Sequence, residues 1–92
     1  MKANYIICYD ITDPRRLSRV FRLLKQSGIH IQYSVFYCRL TWQNLVELKG
    51  KLDQIINAKK DDVRIYPLPS ELKVVVMGLG DRIPEGVSIF LQ

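Results

Sequence analysis

The first run of apolar and β-branched residues predicts a strand over Tyr5–Ile11. Side chains alternate between the two faces of a strand, and both faces here are apolar until Asp10 is reached. The pattern therefore predicts a strand that is covered on both sides. A carboxylate at the end of such a strand is costly unless a partner compensates its charge, so Asp10 requires an explanation.

Two amphipathic segments predict helices. The first has Asp13 as its cap, Pro14 at the first helical position and Gly28 as its end. The second begins after Thr41, which also suits a helix cap. Apolar residues recur at helical spacing and predict the buried stripe of each helix: Leu17, Val20, Phe21 and Leu24 in the first, and Leu45, Leu48, Leu52, Ile55 and Ile56 in the second.

The other apolar runs predict strands over Val63–Leu68, Lys73–Leu79 and Val87–Leu91, with a turn over 80–86, and extended chain over Gly28–Leu40. If 28–40 is one strand, the order of elements is β-α-β-α-β-β. If it is a hairpin, the first elements follow the β-α-β-β-α-β order of an α+β, ferredoxin-like sandwich, which is the fold that we expect. The bend would fall at 32–34, where the turn signal is weak, so the pattern leaves both alternatives open.

A chain of 92 residues is expected to form one domain over 1–92. If both helices cover one face of the sheet, the opposite apolar face and the extra C-terminal strand still need partners. The simplest solution is a homodimer that packs sheet face against sheet face, with residues 87–91 exchanged onto the partner's edge strand. Such a short chain buries a small core, which also favours a dimer.

Composition says little about the fold, but it restricts the class of partner that the chain can bind. The net charge of +5 and the pI of about 9.4 admit a polyanionic partner. No apolar stretch approaches the roughly 18–20 residues of a membrane span, so we expect no membrane partner. Cys8 and Cys38 lie in strand-like runs without the spacing of a metal site, which predicts reduced core thiols in a cytoplasmic protein.

Asp10 has two interpretations. As a strand-end carboxylate it would accept hydrogen bonds from amides of the following turn, and the strand pattern alone favours this interpretation. Alternatively it would bind Mg²⁺, which prefers one or two carboxylates together with water and phosphate oxygens. In a homodimer the two-fold axis could bring two copies of Asp10 together, and a shared cation would relieve their repulsion. That arrangement favours phosphodiester hydrolysis.

The first helix carries a basic face with no acid among its members, which are Arg15, Arg16, Arg19, Arg22 and Lys25. Guanidinium groups bind phosphate in a bidentate manner, so this face favours nucleic-acid binding slightly over a simply solvated surface. The sequence contains no P-loop, zinc or RNA-recognition-motif signature. Four tyrosines are interpreted as strand core or rim rather than as base-stacking platforms: Tyr9, Tyr33, Tyr37 and Tyr66.

Several stretches together resemble the small CRISPR-associated nuclease family that accompanies the CRISPR integrase in spacer acquisition. The matching stretches are Tyr9-Asp10-Ile11, the arginine-bearing helix, GIHIQYSVF from Gly28 to Phe36, DDVRIYPL and VVVMGLG. The resemblance therefore covers nearly the whole chain. The chain departs from it at His30, where many members carry arginine, and at Tyr37, where an acid is frequent.

The resemblance implies a homodimeric, ferredoxin-like, metal-dependent endonuclease that acts chiefly on single-stranded RNA and in some members on double-stranded DNA. It implies that Asp10 of both protomers shares one Mg²⁺, with Tyr9 as its catalytic neighbour. Arg16 and Arg19 would contact phosphate, and Arg15 and Arg22 join them on the same helix face. The residues expected to shape the cleft are His30, Ser34 and Phe36.

The resemblance also implies that the Gly28–Leu40 stretch is the second strand and lies at an edge of the sheet. The strands over 5–11 and 63–68 would then lie at the centre of the sheet. Because the second strand would be distant from the first, Cys8 and Cys38 should not pair.

Three classes of function remain in view. The first is an Mg²⁺-dependent phosphodiesterase, and the alternative is a non-catalytic nucleic-acid-binding dimer that scaffolds the CRISPR integrase. The third is a small-ligand regulatory domain of similar fold, which the arginine face and the lack of a glycine-rich ligand loop disfavour. Sensitivity of cleavage to a substitution at Asp10 would separate the first class from the second.

Overall fold

A computed structural model of the chain describes residues 1–78 and 87–91. Each of the two helices connects one strand of the sheet to another, and a further pair of strands follows. The strands are β1 (Lys2–Asp10), β2 (Gly28–Gln32), β3 (Val35–Thr41), β4 (Asp62–Pro67), β5 (Leu72–Val76) and β6 (Val87–Leu91), and the helices are α1 (Pro14–Ser27) and α2 (Trp42–Ile55). The turn that was predicted over 80–86 lies outside the described residues.

The first four strands form an antiparallel sheet in the order β2-β3-β1-β4. This is the order of a ferredoxin-like fold, and the predicted α+β class is confirmed. Two details that the resemblance implied are wrong. The stretch 28–40 is a hairpin of two strands, and the strand near 63–68 lies at an edge while β1 and β3 occupy the centre.

The two cysteines are free thiols, as expected, but for a different reason. Cys38 lies on β3, directly beside β1, where it pairs with Tyr5, while Cys8 pairs with Val35. Residues that pair across a ladder share a face, and the two cysteines belong to pairs on opposite faces. The sheet itself therefore keeps the thiols apart.

The β2–β3 hairpin turns at Tyr33 and Ser34, because Gln32 pairs with Val35. Tyr33 has a φ of +42°, which lies in the left-handed region. Such a conformation costs a residue other than glycine about 1–3 kcal/mol. The ring atom Nε2 of His30 lies 2.5 Å from the carbonyl oxygen of Tyr33 and supports the turn.

Gly28 follows α1 for a reason that helix capping does not supply. Its φ of −164° is extended backbone, which any residue can adopt. Gly28 pairs with Cys38 across the hairpin, and a Cβ atom at this position would collide with the carbonyl oxygen of Tyr37 and lie 2.5 Å from Sγ of Cys38. Close approach of β2 to β3 therefore requires glycine here.

Both helices begin at the predicted caps. The side chain of Asp13 accepts a hydrogen bond from the backbone N–H of Arg16, and Thr41 Oγ1 accepts one from Asn44. The helices pack on one sheet face and form the core, whose buried members are Ile7, Tyr9, Ile11, Val20, Leu24, Phe36, Cys38, Leu40, Leu45, Leu48 and Leu52. Leu17, which was predicted in the buried stripe of α1, is 38% exposed.

The opposite sheet face carries Ile6, Cys8 and Val35, which are half-buried. β5 and β6 form a separate parallel pair. Val75 of β5 is half exposed in the single chain. Exchange of residues 87–91 between protomers stays a prediction. Of the helices that the structure describes, neither is long and apolar enough to cross a membrane.

Candidate nucleic-acid and metal site

Asp10 ends β1 and is exposed, so the expectation of a covered strand end is wrong. In the β1–β4 ladder Asp10 stands directly opposite Asp62. Residues opposite each other in an antiparallel ladder project to the same face of the sheet. Two carboxylates therefore lie side by side at this end of the sheet, and their repulsion favours a cation between or beside them.

The two carboxylates fit the ligand preferences of Mg²⁺, which takes oxygen ligands and keeps several waters. Asp62 also forms an exposed ion pair with Arg64, whose Nε lies 2.9 Å from Oδ2 of Asp62. Among the described residues, no group of three or more His, Cys, Asp or Glu side chains could hold a metal ion. Any cation held at these two carboxylates would need further ligands from water, phosphate oxygens or a second protomer.

Tyr9, which precedes Asp10, is attached to the β2–β3 turn. Its backbone N–H donates to the carbonyl oxygen of Ser34 over 3.1 Å. Burial raises the pKa of the Tyr9 hydroxyl above its ordinary value, which the Ser34 side chain offsets in part. A raised pKa disfavours a role for the Tyr9 hydroxyl as a base.

Three rings form a cluster beneath the hairpin. Phe36 is fully buried, and its ring centre lies 5.0 Å from that of His30 and 5.5 Å from that of Phe21. The rings of His30 and Phe21 meet edge to face at 5.2 Å. Phe36 thus supports the turn from the core, and the cleft-shaping role of His30, Ser34 and Phe36 stays a prediction.

Arg16 is held in an ion pair with Asp61, a residue that the sequence analysis did not single out. The Nε of Arg16 lies 2.8 Å from Oδ2 of Asp61 and its second terminal nitrogen 3.2 Å from Oδ1. The Asp61 side chain has no exposed surface, and it also accepts hydrogen bonds from Thr12 and from the backbone N–H of Asn57. The Arg16 guanidinium holds the pKa of that carboxyl well below its usual range.

This network joins the loop after β1 to the loop before β4, at the end of the sheet where Asp10 and Asp62 lie. The sequence contained one usable signal, the Asp61-Asp62 pair that leads into β4. It could not indicate the partner, because Arg16 and Asp61 are 45 positions apart along the chain. The sequence pattern could not predict the register that places Asp62 opposite Asp10 either.

The rest of the predicted basic face behaves differently from Arg16. Arg15, Arg19 and Arg22 are exposed and follow one another at spacings of four and three residues, so they share one side of α1. The helix begins at Pro14, shortly after Asp10, so Arg15 lies at the same end of the sheet as that carboxylate. Lys25 lies 5.9 Å from the ring centre of Phe21.

The four tyrosines divide between core and surface. Tyr9 and Tyr37 are buried, and the hydroxyl of Tyr37 donates to Oδ1 of Asn4 over 2.6 Å. Tyr66 on β4 is partly exposed. Tyr33 at the hairpin turn is 87% exposed, so the core-or-rim interpretation does not describe it.

Comparison with known proteins gives consistent relatives. The family model described as "CRISPR associated protein Cas2" matches residues 3–74. A protein of Thermodesulfovibrio yellowstonii named CRISPR-associated endoribonuclease Cas2 2 is 54% identical over 90 residues, which are 98% of this chain and 99% of that protein. A Thermus thermophilus protein named CRISPR-associated endoribonuclease Cas2 is 46% identical over 66 residues, 72% of this chain and 70% of that protein.

Solved structures agree with these sequence matches. A hypothetical protein from Thermus thermophilus superposes with a TM-score of 0.79 at 35% identity, over 87% of this chain and 95% of that chain. A chain from a partial Cas6-RT-Cas1–Cas2 complex superposes with a TM-score of 0.67 at 33% identity, over 75% of this chain and 80% of that chain. The matched residues include β1 with Asp10, the basic helix, the hairpin and β4 with Asp62, and the chain belongs to the CRISPR-associated protein Cas2 family.

Proposed function

We propose that this chain is a CRISPR-associated, Mg²⁺-dependent endoribonuclease that hydrolyses phosphodiester bonds of single-stranded RNA in antiviral defence and spacer acquisition. The observation that carries the proposal is the exposed Asp10 beside Asp62, at the sheet end where the basic helix begins. The relatives' names supply the class of reaction, since they are called endoribonucleases.

In this proposal each group has a separate task. Asp10 holds the cation, with Asp62 beside it, and the bound ion supplies Lewis-acid stabilisation of a phosphoryl oxygen and lowers the pKa of a bound water. Tyr9 keeps its proton and positions Asp10 by fixing the end of β1 to Ser34. The exposed guanidinium groups of Arg15, Arg19 and Arg22 bind the phosphates that flank the scissile bond.

We propose that Arg16 acts through Asp61 rather than on phosphate. Its planar group already forms two hydrogen bonds with the buried carboxylate and a third with Thr12 Oγ1. Using Arg16 to bind RNA would leave Asp61 buried without its counter-charge, which is strongly unfavourable. Arg16 is therefore a positioning residue for the loops that border the site.

The dimer that we propose packs the open sheet faces of two protomers together, so that both copies of Asp10 share one Mg²⁺. Support comes from the half-buried apolar residues on that face, Ile6, Cys8 and Val35. A second carboxylate across the axis would also complete a coordination sphere that one chain fills only in part.

We further propose that the dimer partners Cas1, the integrase subunit, and binds DNA in that assembly. One similar solved chain comes from a complex that contains Cas1 and Cas2, and the basic face of α1 suits a nucleic-acid backbone. We also propose a cytoplasmic location, which the two free thiols support because a reducing compartment maintains such thiols.

The decisive experiment compares Asp10→Asn with Asp53→Asn, a control that removes the same charge from an exposed position on α2. The purified proteins are incubated with labelled single-stranded RNA and with duplex DNA, in Mg²⁺ and in chelator. The Asp10 variant should lose Mg²⁺-dependent cleavage and keep RNA binding, while the Asp53 variant should cleave like the parent.

Full cleavage by the Asp10 variant, or equal cleavage in chelator, would contradict the metal-site proposal. A parent protein that binds RNA and DNA but cuts neither would instead favour the non-catalytic scaffold. Both variants are purified through the same steps, so a contaminating nuclease would be present in both. A difference in cleavage between the Asp10 and Asp53 variants therefore cannot come from contamination.

A further inference from the structure

We propose that Tyr33 is a base-stacking residue, which receives an unpaired nucleobase of the substrate beside the Asp10 site. The inference rests on the proposed function in one respect, since it assumes a nucleic-acid ligand. It adds a binding contact that confers preference for single strands over duplexes. The observations that carry it are the position, the exposure and the backbone conformation of Tyr33.

The position follows from the register of β1 and β3. Cys8 pairs with Val35, and the next backbone N–H, that of Tyr9, donates to the carbonyl oxygen of Ser34. The hairpin turn therefore lies beside the end of β1, so Tyr33 and Asp10 occupy the same end of the sheet. Arg15 lies in the first turn of α1 at that end as well, which brings an aromatic ring, a carboxylate and a guanidinium group to one region.

Packing among residues 1–78 and 87–91 does not explain the exposure of the Tyr33 ring. The residue is 87% exposed, so its aromatic surface contributes little to the core. The neighbouring aromatic residues behave oppositely, because Phe36 and Tyr37 are buried. A large ring held in water at the tip of a hairpin is available for contact with a ligand.

The backbone of Tyr33 is strained, with a φ of +42° that glycine or asparagine would adopt more readily. Strained residues in loops concentrate at ligand-binding sites, where the surrounding structure holds them in place. Here His30 contacts the Tyr33 carbonyl oxygen, and the His30 ring packs on Phe21 and Phe36. The core therefore supports the turn that carries the ring of Tyr33.

The chemistry of this site selects an unstacked base. Every nucleobase has a π-face, so stacking on a tyrosine ring tolerates any sequence. In a duplex both faces of each base are covered by neighbouring base pairs, whereas a single strand can offer one face to the ring. Tyr33 therefore favours single-stranded nucleic acid, while the exposed Arg15, Arg19 and Arg22 of α1 suit either form through phosphate.

The test uses variants that distinguish the effect of the Tyr33 ring on binding from the effect of the turn conformation. Tyr33→Asn removes the ring and suits the left-handed backbone, and Tyr33→Phe keeps the ring with the same backbone requirement. Trp42→Ala is the matched control, because Trp42 is 70% exposed but follows β3 at the opposite end of the sheet. Binding is measured with a short single-stranded RNA that carries 2-aminopurine, whose fluorescence falls on stacking, and with a duplex of the same sequence.

The Asn variant should bind the single strand about five- to 150-fold more weakly, the range that loss of one stacked base produces. It should lose most of the fluorescence change, bind the duplex like the parent and melt at the parent's temperature or higher. The Phe and Trp42 variants should bind both ligands like the parent. Unchanged single-strand binding by the Asn variant would overturn the stacking inference alone.

Three further outcomes are equally informative. Equal weakening of duplex and single-strand binding in the Asn variant would mean that the turn, not the ring, matters, and would also overturn the inference. A parent protein that binds neither ligand would overturn both this inference and the proposed function. A parent that binds but does not cleave would overturn the nuclease alone and leave the stacking result decisive.

Discussion

The Nε atom of Arg16 lies 2.8 Å from Oδ2 of Asp61, an ion pair that ties the first turn of α1 to the α2–β4 loop. Asp61 immediately precedes Asp62, and the same carboxylate accepts hydrogen bonds from Thr12, which follows Asp10 by two residues. The pair therefore fixes the backbone on both sides of the candidate site. We infer that the pair is structural, although it borders the proposed catalytic site.

We expect Arg16→Ala to lower the melting temperature clearly, because it leaves the Asp61 carboxylate buried without its guanidinium. Arg19→Ala is the control, since Arg19 is exposed on the same helix and surface substitutions usually change stability by less than about 0.5 kcal/mol. Thermal denaturation followed by circular dichroism measures both. Equal melting temperatures for the two variants would show that the ion pair contributes nothing to the fold.

The same pair predicts how stability depends on acid. The folded-state pKa of Asp61 is depressed, so its stabilising contribution is fully present above the unfolded-state pKa, near 4, and is lost as pH falls below that value. The difference in stability between the parent protein and Asp61→Asn should therefore be constant from about pH 5 to 7 and shrink at lower pH. Denaturant titrations at several pH values test this. A difference that grows as pH falls would contradict it.

The helices could be predicted from sequence because their signals are local. Asp13 caps the N–H of Arg16 three residues away, and Thr41 caps Asn44 at the same spacing. Each cap and its helix lie within one short window of sequence, so periodicity and capping give the correct boundaries to within a few residues. Asp10 and the exposed arginines were identified for the same reason.

The hairpin and the Arg16–Asp61 ion pair beside the site could not be predicted in this way. The turn at Tyr33 and Ser34 contains no glycine, asparagine or aspartate, so the chemistry that normally indicates a turn is missing. The contacts of Asp61 with Arg16 and of Asp62 with Asp10 depend on which strands become neighbours. That choice is made by the whole sheet, and no window of sequence contains it.

Gly28 and Gly50 provide a matched pair of substitutions. Gly28→Ala should destabilise the protein by about 1–3 kcal/mol, because its Cβ would collide with the Tyr37 carbonyl oxygen across the ladder and force β2 away from β3. Gly50→Ala should stabilise it by up to about 1 kcal/mol, since Gly50 is inside α2 with open space around it. Chemical denaturation measures both, and a tolerated alanine at position 28 would refute the close-approach explanation.

Removing residues 87–92 should convert the proposed dimer to a monomer or weaken it strongly. The stretch Val87–Leu91 is apolar in sequence and is predicted to pair with the partner's edge strand, so its loss removes part of the proposed interface beside the packed sheet faces. Analytical ultracentrifugation of the truncated protein measures the change, with removal of Gln92 alone as the control. An unchanged dimer after the full truncation would mean that the strand contributes nothing between protomers.

The basic face of α1 makes a quantitative prediction about salt. Each phosphate contact with a single strand contributes about 0.7 to the slope of log affinity against log salt, through counterion release. Replacing Arg15, Arg19 and Arg22 by glutamine should therefore weaken RNA binding and reduce that slope by about 2. The control replaces Lys49, Lys51 and Lys59 by glutamine, which removes the same charge from exposed positions in α2 and the loop that follows. If both triple variants lose the same slope, the helix makes no specific phosphate contacts and RNA responds only to the net charge of the protein. If only the α1 variant loses it, phosphate is bound where α1 begins, beside Asp10.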